Sequence, residues 1–339
     1  MAPIIKECEQ KSIEHYIIHS GQHYSYNLDK VFFEQLKLPN PKYKLEVGSK
    51  PPGKQTALVI EGTEKILLKN KPDIVLVQGD TNTVLGGSLA AKKSSVLLGH
   101  VEAGLRSYDE KMPEEINRRV ADHCSDFLFA PTMDSRQNLI KEGILKKKIT
   151  VTGNTIVDAV NQNIKDTNQD IVDKLGVESE NFFLVSLHRQ ENVDDKQRLG
   201  NVVKGLKLVK KKYGLPIVFP IHPRTEKMSK KFGINLDEIK VIKPVDYLDF
   251  LALERNAKMV LTDSGGVQEE ACILNVPCVT LRYNTERPET VKVGSNKIAG
   301  TNSDSILRAV KIMSNKKRNW KNPFGDGKSA SRILKILGS

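Results

Sequence analysis

The sequence has few aromatic residues and no long apolar run. Aromatic residues make up 6% of its 339 residues, and no apolar stretch approaches the roughly 20 residues that a membrane-spanning helix needs. The residues after Met1 do not form a signal-peptide pattern. The sequence therefore predicts a cytoplasmic protein with no membrane partner.

The cysteines and histidines do not form a metal-binding or disulfide pattern. The four cysteines are Cys8, Cys124, Cys272 and Cys278. The nearest two are six residues apart, so structural thiols in a reducing compartment are the simpler interpretation. His188 and His222 are 34 residues apart, and no His-x-x-x-His pair occurs. We therefore predict no metal site.

The formal net charge of +12 comes from scattered lysines. Small clusters occur at 146–148, 210–212 and 316–318, but aromatic residues do not alternate with them as they do on many nucleic-acid-binding surfaces. Solvated surface lysines, with some attraction for a small anionic substrate, explain the charge best. We expect no nucleic-acid partner.

The length and the order of the elements predict an α/β protein of two domains. A chain of 339 residues exceeds a single typical core. Aliphatic runs alternate with amphipathic stretches, which is typical of parallel sheets covered on both faces. The predicted strands are Tyr16–His19, Ile74–Gln78, Val96–Val101, Phe127–Ala130, Lys148–Thr152, Phe182–Leu187, Ile217–Ile221, Lys240–Ile242, Met259–Thr262 and Cys278–Arg282. The polar stretch 161–181 is interpreted as the crossing between the domains. We predict a first domain of residues 1–160 plus 322–339, and a second of residues 161–321.

The segment Leu261–Ala271 is the most informative local feature. It reads as a strand end, a Ser264-Gly265-Gly266 turn and a helix start. Free backbone N–H groups and the positive end of the helix dipole form a phosphate-binding site there. Glu270, one turn further, lies within reach of a ribose. The segment predicts a nucleotide diphosphate site at the carboxyl end of a strand.

Polar residues gather at the ends of several other predicted strands. Ligands of open α/β sheets bind outside the carboxyl ends of strands. Those ends carry Gly79-Asp80, His100-Val101-Glu102, His188-Arg189 and His222-Pro223-Arg224, and Thr285–Glu289 follows another strand. Each alone has a structural explanation, such as helix capping by Asp80 or ion pairs from Glu102 and Glu114 to Arg106 and Arg118. Their recurrence in both halves favours a shared site.

Proton abstraction beside a departing anion is chemistry that such residues support. Carboxylates near one pocket raise each other's pKa, which suits acid–base work near neutral pH. Histidines and arginines from the other half of the chain are suited to stabilising a leaving diphosphate.

Taken together, these motifs resemble the non-hydrolysing UDP-N-acetylglucosamine 2-epimerases. The resemblance covers nearly the whole chain and rests on Ser20–His23, Val77–Thr83, Gly99–Arg106, Met112–Arg118, Val151–Thr155, His188–Asn192, Thr262–Ala271 and Thr285–Glu289. It implies two Rossmann-like domains with an interdomain cleft of the GT-B type, and a homodimer. It also implies reversible epimerisation at C2 of UDP-N-acetylglucosamine to UDP-N-acetylmannosamine, by elimination and re-addition of UDP without metal or cofactor.

The same resemblance implies roles for individual residues. The catalytic candidates are Asp80, Glu102, Glu114 and His188. The substrate-binding candidates are Arg118, His222, Phe250, Ser264, Gly265, Gly266, Glu270 and Arg287. Of these, Glu270 would accept both ribose hydroxyls and Phe250 would pack beside the uracil. Gln22 and His23 match a region that helps bind a second, activating substrate molecule in bacterial members.

The chain departs from the family pattern at its start. Family members begin with a strand and a Gly-Thr-Arg-Pro-Glu loop, whereas Met1–Ile5 matches a later segment. The expected reason is a start codon assigned too late, and the alternative is a shortened protein with impaired activity. Loss of a central strand would leave two neighbouring strands unpaired.

Other functions remain open at this level. A UDP-diacetamido-glucuronate 2-epimerase shares most of the motifs, although 268–270 and 285–289 favour the acetylglucosamine substrate. A hydrolysing epimerase would differ in water access. A GT-B glycosyltransferase would explain the nucleotide site but not the carboxylates, and a nucleotide-sugar-binding regulator would need no base.

Overall fold

The computed structural model describes residues 1–22, 33–110, 112–165, 167 and 170–338. The chain divides into two compact units, one of Met1–Ala159 with Phe324–Ser339 and one of Val160–Pro323. Each unit is built from alternating helices and parallel strands, which confirms the predicted α/β class. Within the described residues no helix is both long and apolar enough to cross a membrane.

The first unit opens with a helix and continues with strands and helices in alternation. Its helices are α1 (Ala2–Gln10), α2 (Pro52–Asn70), α3 (Asn82–Lys93), α4 (Pro113–Cys124), α5 (Met133–Lys141) and α6 (Thr155–Asn163), the last crossing into the second unit. Its strands are β1 (Ile18–His19), β2 (Tyr43–Lys44), β3 (Ile74–Gln78), β4 (Leu97–Val101), β5 (Phe127–Ala130) and β6 (Ile149–Val151).

The strands of the first unit form two parallel sheets. Strands β3, β4, β5 and β6 pair in that order, and β1 pairs with β2. Gln78 at the end of β3 is in register with Val101 at the end of β4. Asp80 and Glu102 therefore follow neighbouring strands at the same edge of the sheet.

The second unit continues with helices α7 to α14 and strands β7 to β12. The helices are α7 (Asp170–Lys174), α8 (Gln190–Val193), α9 (Lys196–Tyr213), α10 (Pro223–Phe232), α11 (Tyr247–Asn256), α12 (Gly265–Ile273), α13 (Pro288–Lys292) and α14 (Ser303–Ser314). The strands are β7 (Phe183–Ser186), β8 (Ile217–Pro220), β9 (Lys240–Ile242), β10 (Met259–Thr262), β11 (Cys278–Thr280) and β12 (Asn296–Ile298). They form one parallel sheet in the order β12-β11-β10-β7-β8-β9.

Helix α9 shows how local sequence sets these elements. The Asp195 side chain accepts a hydrogen bond from the Arg198 N–H and so caps the first turn. Gly214 ends the helix in the left-handed conformation at φ +67°. Between them a helical face at i, i+3, i+4 and i+7 is buried in the main core of the unit, formed by Leu199, Val202, Val203, Leu206 and Val209.

The chain returns to the first unit with helix α15 (Ser329–Ile336). Asp158 accepts hydrogen bonds from the backbone N–H groups of Ser329 (3.2 Å) and Ala330 (2.9 Å), which fixes the start of this helix. Its apolar side packs with α1 in one core cluster that includes Ile4 and Ile333.

Two strands, β2 and β12, were absent from the sequence-based prediction. They have two and three residues, respectively, and lie at edges of their sheets. Runs this short do not establish a period of two, so only pairing with a neighbouring strand reveals them. The predicted crossing 161–181 contains the end of α6 and the short helix α7.

Gly104 provides a test of packing in the first unit. It has φ +84°, and a Cβ added there would lie 2.3 Å from the Ser135 carbonyl oxygen. Gly143 has φ +85° but no atom within 4 Å of an added Cβ. We expect Gly143→Ala to lower the free energy of unfolding by about 1 kcal/mol through its backbone alone. Gly104→Ala should lower the free energy of unfolding by at least about 2 kcal/mol more than Gly143→Ala does, because α5 must move.

Urea denaturation followed by circular dichroism would measure both glycine variants. Equal losses in the two proteins would contradict the proposed clash.

Candidate functional site

The ends of β3 and β4 bring two of the predicted catalytic carboxylates to one edge of the first unit. Asp80 follows Gly79, which has φ +84°, and Glu102 itself has φ +69°. A non-glycine residue at positive φ is strained and persists only where its surroundings hold it. The Gln78 amide donates to the Glu102 carboxylate, and also to the Thr155 hydroxyl at 3.1 Å.

Helix α4 places a cation against Asp80. The Arg118 side chain is 2% exposed and forms ion pairs with Asp80 and Glu115. The Asn117 amide donates to the Asp80 carbonyl at 2.9 Å. Arg118, predicted to contact the diphosphate or sugar, therefore lies beside a predicted catalytic carboxylate.

The first turn of α4 carries two glutamates with different surroundings. Glu114, a predicted catalytic residue, is half-buried, whereas Glu115 is 1% exposed. Burial alone would raise the pKa of Glu115, but the Ser107 N–H and the Arg118 guanidinium lower it. Glu115 thus holds Arg118 and the 107–108 backbone, a role that sequence reasoning missed.

A buried charged network lies behind these carboxylates and was also missed. Asp122 of α4 accepts from the Arg106 guanidinium (2.8 Å) and the Gly104 N–H (3.2 Å). The His100 Nδ1 lies 2.7 Å from Asp122. Arg106 also donates to Glu142. Arg106 and Asp122 are fully buried, and their charges are paired, as buried charges must be.

The proposed regulatory pair is described only in part. The Gln22 side-chain oxygen accepts from the N–H (3.2 Å) and the hydroxyl (2.6 Å) of Thr83 in the first turn of α3. This contact holds the segment after β1 against α3. His23 lies outside the described residues, so the regulatory role stays a prediction.

In the second unit, Asp263 organises the turn after β7. Asp263 is 0% exposed and accepts from the backbone N–H groups of His188 (3.1 Å) and Arg189 (3.0 Å). It also accepts from the Asn192 amide at 3.1 Å. Sequence reasoning placed Asp263 in the phosphate-binding motif but did not give it this role.

The two candidate histidines of the second unit lie side by side. The ring centroids of His188 and His222 are 5.7 Å apart. Burial lowers the pKa of His188, although the Asp263 carboxylate opposes the shift. The His222 Nδ1 accepts from the Arg224 N–H and caps α10.

Next to the start of α12 lies a compact cluster of arginines and glutamates. Arg282 donates to Glu286 at 2.8 Å, and Arg189 reaches the same carboxylate at 3.4 Å. Arg287 pairs with Glu269 at 2.7 Å. Burial alone would raise the pKa of Glu286, but these arginines lower it to about 2. The cations are thus fixed in place before any anion arrives.

The predicted turn lies against this cluster. Ser264 is the N-cap of α12, and Gly265 and Gly266 are its first residues. A Cβ at Gly265 would lie 2.5 Å from the Glu286 carboxylate, whereas one at Gly266 would meet no atom within 4 Å. Gly265 thus permits close packing, and Gly266 keeps the backbone of the first turn accessible to a ligand.

Glu270 belongs to a buried acidic cluster with Tyr247 and Glu254. Burial raises the pKa of Glu270 to about 7, while a hydrogen bond from Tyr247 opposes the shift. Glu254 is 0% exposed, and neither of its oxygens has a hydrogen-bond partner among the described residues. Burial and the nearby Glu270 raise its pKa well above the ordinary value. Phe250, on the same helix as Tyr247, packs on the adjacent core.

The described residues contain no group of three or more His, Cys, Asp or Glu side chains arranged to hold a metal ion. The chemistry available from this set is acid–base transfer in the first unit and anion binding in the second.

Known proteins similar to the chain include 2-epimerases of UDP-sugars. A family profile described as UDP-N-acetylglucosamine 2-epimerase matches residues 6–338. The UDP-N-acetylglucosamine 2-epimerase of Methanocaldococcus jannaschii is 55% identical, over 99% of this chain and 94% of that protein. The UDP-2,3-diacetamido-2,3-dideoxy-D-glucuronate 2-epimerase of Pseudomonas aeruginosa is 39% identical, over 97% of this chain and 92% of that protein.

The solved structure of one such epimerase is also similar to the chain. The crystal structure of the Methanocaldococcus jannaschii UDP-GlcNAc 2-epimerase in complex with UDP-GlcNAc and UDP matches with a TM-score of 0.94. The identity is 55%, and the match covers 99% of this chain and 95% of that chain.

The acidic cluster predicts how the stability of the second unit depends on pH. The pKa of Glu270 is about 7 in the folded, ligand-free protein and 4.5 as its ordinary value. Its stabilising contribution is therefore complete below pH 4.5 and is lost as the pH rises through 7. We expect Glu270→Gln to remove this loss, so that the variant gains stability over the wild type between pH 5 and 8.

The single tryptophan, Trp320, makes this measurable in the second unit. Its indole N–H donates to the Cys272 carbonyl of α12 at 2.9 Å, so its fluorescence should report unfolding there. Urea titrations at several pH values would compare the wild type, Glu270→Gln and the control Glu178→Gln, which changes an exposed glutamate. Identical pH profiles for wild type and Glu270→Gln would contradict the assignment.

Proposed function

The chain belongs to the UDP-N-acetylglucosamine 2-epimerase family, and we propose that it interconverts UDP-N-acetylglucosamine and UDP-N-acetylmannosamine. One observation carries the proposal: the first unit has carboxylates at its strand ends, the second unit has a turn suited to phosphate and ribose, and this reaction needs both kinds of group. The family match, predicted from the motifs, spans residues 6–338. The relative with 55% identity carries the same activity in its name.

The carboxylates of the first unit serve the proton transfers. One of Asp80, Glu102 and Glu114 takes the C2 proton, and the C2–H electron pair forms a C1=C2 double bond. The C1–O pair leaves with the β-phosphate oxygen of UDP. UDP then adds back to C1 while a proton returns to C2 on the opposite face, which inverts that carbon. Groups positioned for such transfers contribute typically about 10²–10⁴-fold in rate.

The second unit holds the group that leaves. The Ser264 hydroxyl and the backbone N–H groups of Gly265 and Gly266 bind phosphate oxygens at the positive end of α12. Arg287 and His222 contact the diphosphate and the sugar. His188 donates toward the departing oxygen, and burial lowers the pKa of its ring, which favours the neutral form.

The nucleoside is recognised by one residue on α11 and one on α12. The Glu270 carboxylate accepts from both ribose hydroxyls, and Phe250 packs beside the uracil. Because the hydroxyl donors favour the ionised form, nucleotide binding lowers the pKa of Glu270. Burial and the nearby Glu270 raise the pKa of Glu254, which favours its protonated form.

The choice of sugar rests on relative similarity. Identity to the acetylglucosamine enzyme is 55%, against 39% to the diacetamido-glucuronate enzyme. The diacetamido-glucuronate substrate carries a carboxylate on its sugar. An assay in which both UDP-sugars compete would show which one the protein prefers. We further infer that the protein acts as a homodimer.

Exchange of hydrogen at C2 tests the proposed function. In D2O, UDP-N-acetylglucosamine should acquire deuterium at C2 while UDP-N-acetylmannosamine accumulates, as followed by NMR. Asp80→Asn, Glu102→Gln and Glu114→Gln should each lower kcat by about 10²-fold or more. The variant that removes exchange at C2 most completely identifies the base.

The other outcomes separate the alternatives. Free N-acetylmannosamine would indicate a hydrolysing enzyme. Binding without exchange would indicate a nucleotide-sugar-binding protein. Inversion without deuterium at C2 would contradict the elimination route.

Ribose recognition is tested by removing the two hydroxyls. Glu270→Gln should weaken UDP binding by about tenfold, the effect of losing hydrogen bonds to a charged group. It should leave binding of 2′,3′-dideoxy-UDP unchanged, since that ligand has no hydroxyls to donate. Calorimetry would measure both ligands, and an equal loss for the two would show that Glu270 acts elsewhere.

A further inference from the structure

His100 is a buried titratable residue that the proposed mechanism does not use. It lies on β4, two residues before Glu102, and is 0% exposed. Its Nδ1 lies 2.7 Å from an oxygen of Asp122, and its Nε2 lies 2.9 Å from the Gly79 carbonyl oxygen. Both ring nitrogens are thus within hydrogen-bond distance of an oxygen atom.

The partners determine the protonation of the ring. A backbone carbonyl only accepts, so Nε2 must carry a proton and donate to Gly79. The other oxygen of Asp122 already accepts from Arg106 and from the Gly104 N–H, as an ionised carboxylate does. Nδ1 must therefore donate as well, and the ring is an imidazolium.

The charges around the ring support this state. Asp122 of α4 and Glu102 after β4 face it, and Arg106 reaches it through Asp122. Burial alone would lower the pKa of His100, but Asp122, the Gly79 carbonyl and Glu102 raise it above the ordinary value. Glu142 balances Arg106. The two buried cations, His100 and Arg106, are thus surrounded by the carboxylates of Asp122, Glu102 and Glu142.

The network joins the two backbone turns that carry the candidate carboxylates. His100 donates to Gly79, which immediately precedes Asp80. Asp122 accepts from Gly104, two residues after the strained Glu102. A displacement of either turn would move one carboxylate relative to the other.

We propose that His100, protonated at both ring nitrogens, is a positioning residue that sets the placement of Asp80 relative to Glu102. This inference rests on the proposed function, because it assigns the two carboxylates to one reaction. Loss of the ring proton breaks one of the two hydrogen bonds. The rate should therefore fall as the pH rises through the raised pKa of His100, while nucleotide binding in the second unit is unaffected.

Two substitutions separate the two hydrogen bonds. The amide nitrogen of His100→Gln falls near the Nε2 position, so it retains donation to Gly79. That of His100→Asn falls near Nδ1 and retains the Asp122 contact instead. We expect His100→Asn to lower kcat by about 10²-fold, as small misplacements of catalytic groups do. His100→Gln should lower kcat less than His100→Asn does. Neither variant should change the affinity for UDP by more than about threefold.

The control is His123→Gln, which changes a histidine of α4 whose side chain is 53% exposed and lies 3.8 Å from Glu142. It should leave kcat and its pH profile unchanged. In His100→Gln the alkaline fall in kcat assigned to the ring should disappear, a result that loss of stability alone would not produce.

NMR of the ¹⁵N-labelled wild-type protein reads the ring directly. Two protonated ring nitrogens at pH 7.5 are expected for His100, and a neutral ring would overturn the inference even if both variants failed to fold. Unchanged kcat in both variants, with an active wild type, would overturn the positioning role alone. A wild type without exchange at C2 would overturn the proposed function and the positioning role together.

Discussion

Each unit depends on one buried aspartate whose charge must be satisfied by donors from several loops. An unpaired carboxylate in an apolar interior costs far more than a folded domain can supply, so donors have to converge on it. Asp122 contacts the turn after β4 directly, through the Gly104 N–H, and the turn after β3 through His100. Asp263 draws in the segment 188–192. The geometry of the candidate residues in each unit follows from this requirement.

The same requirement explains how unfavourable backbone conformations persist at the site. Glu102 adopts φ +69°, which costs a non-glycine residue about 1–3 kcal/mol. The cost is tolerated because Gly104 is hydrogen-bonded to Asp122 and Gln78 donates to the Glu102 carboxylate. A rigid network restricts the movement of the carboxylates that it contacts. A reacting group that is held in the reactive geometry reacts faster.

Patterns that depend on local sequence could be predicted, and those that depend on tertiary contacts could not. The strands Ile74–Gln78 and Met259–Thr262 have the predicted bounds because their apolar runs are long enough to be distinctive. Asp80 could be proposed from its position after a strand. Asp122 and Glu115 could not, because a helical acid next to basic residues has the same sequence pattern whether it is exposed or buried. Only the folded chain shows which face turns inward.

The arginine cluster of the second unit shows how the proposed anion site is formed before a ligand binds. Arg189, Arg282 and Arg287 are held by the buried carboxylates of Glu286 and Glu269. Fixed cations need little reorganisation when a diphosphate binds or when charge develops on a leaving oxygen. The glutamates reduce the net positive charge, so affinity for the ligand is moderated while the orientation of the donors is kept. An enzyme that must release and recapture the same diphosphate requires that balance, because binding the free diphosphate too tightly would slow its return to the sugar.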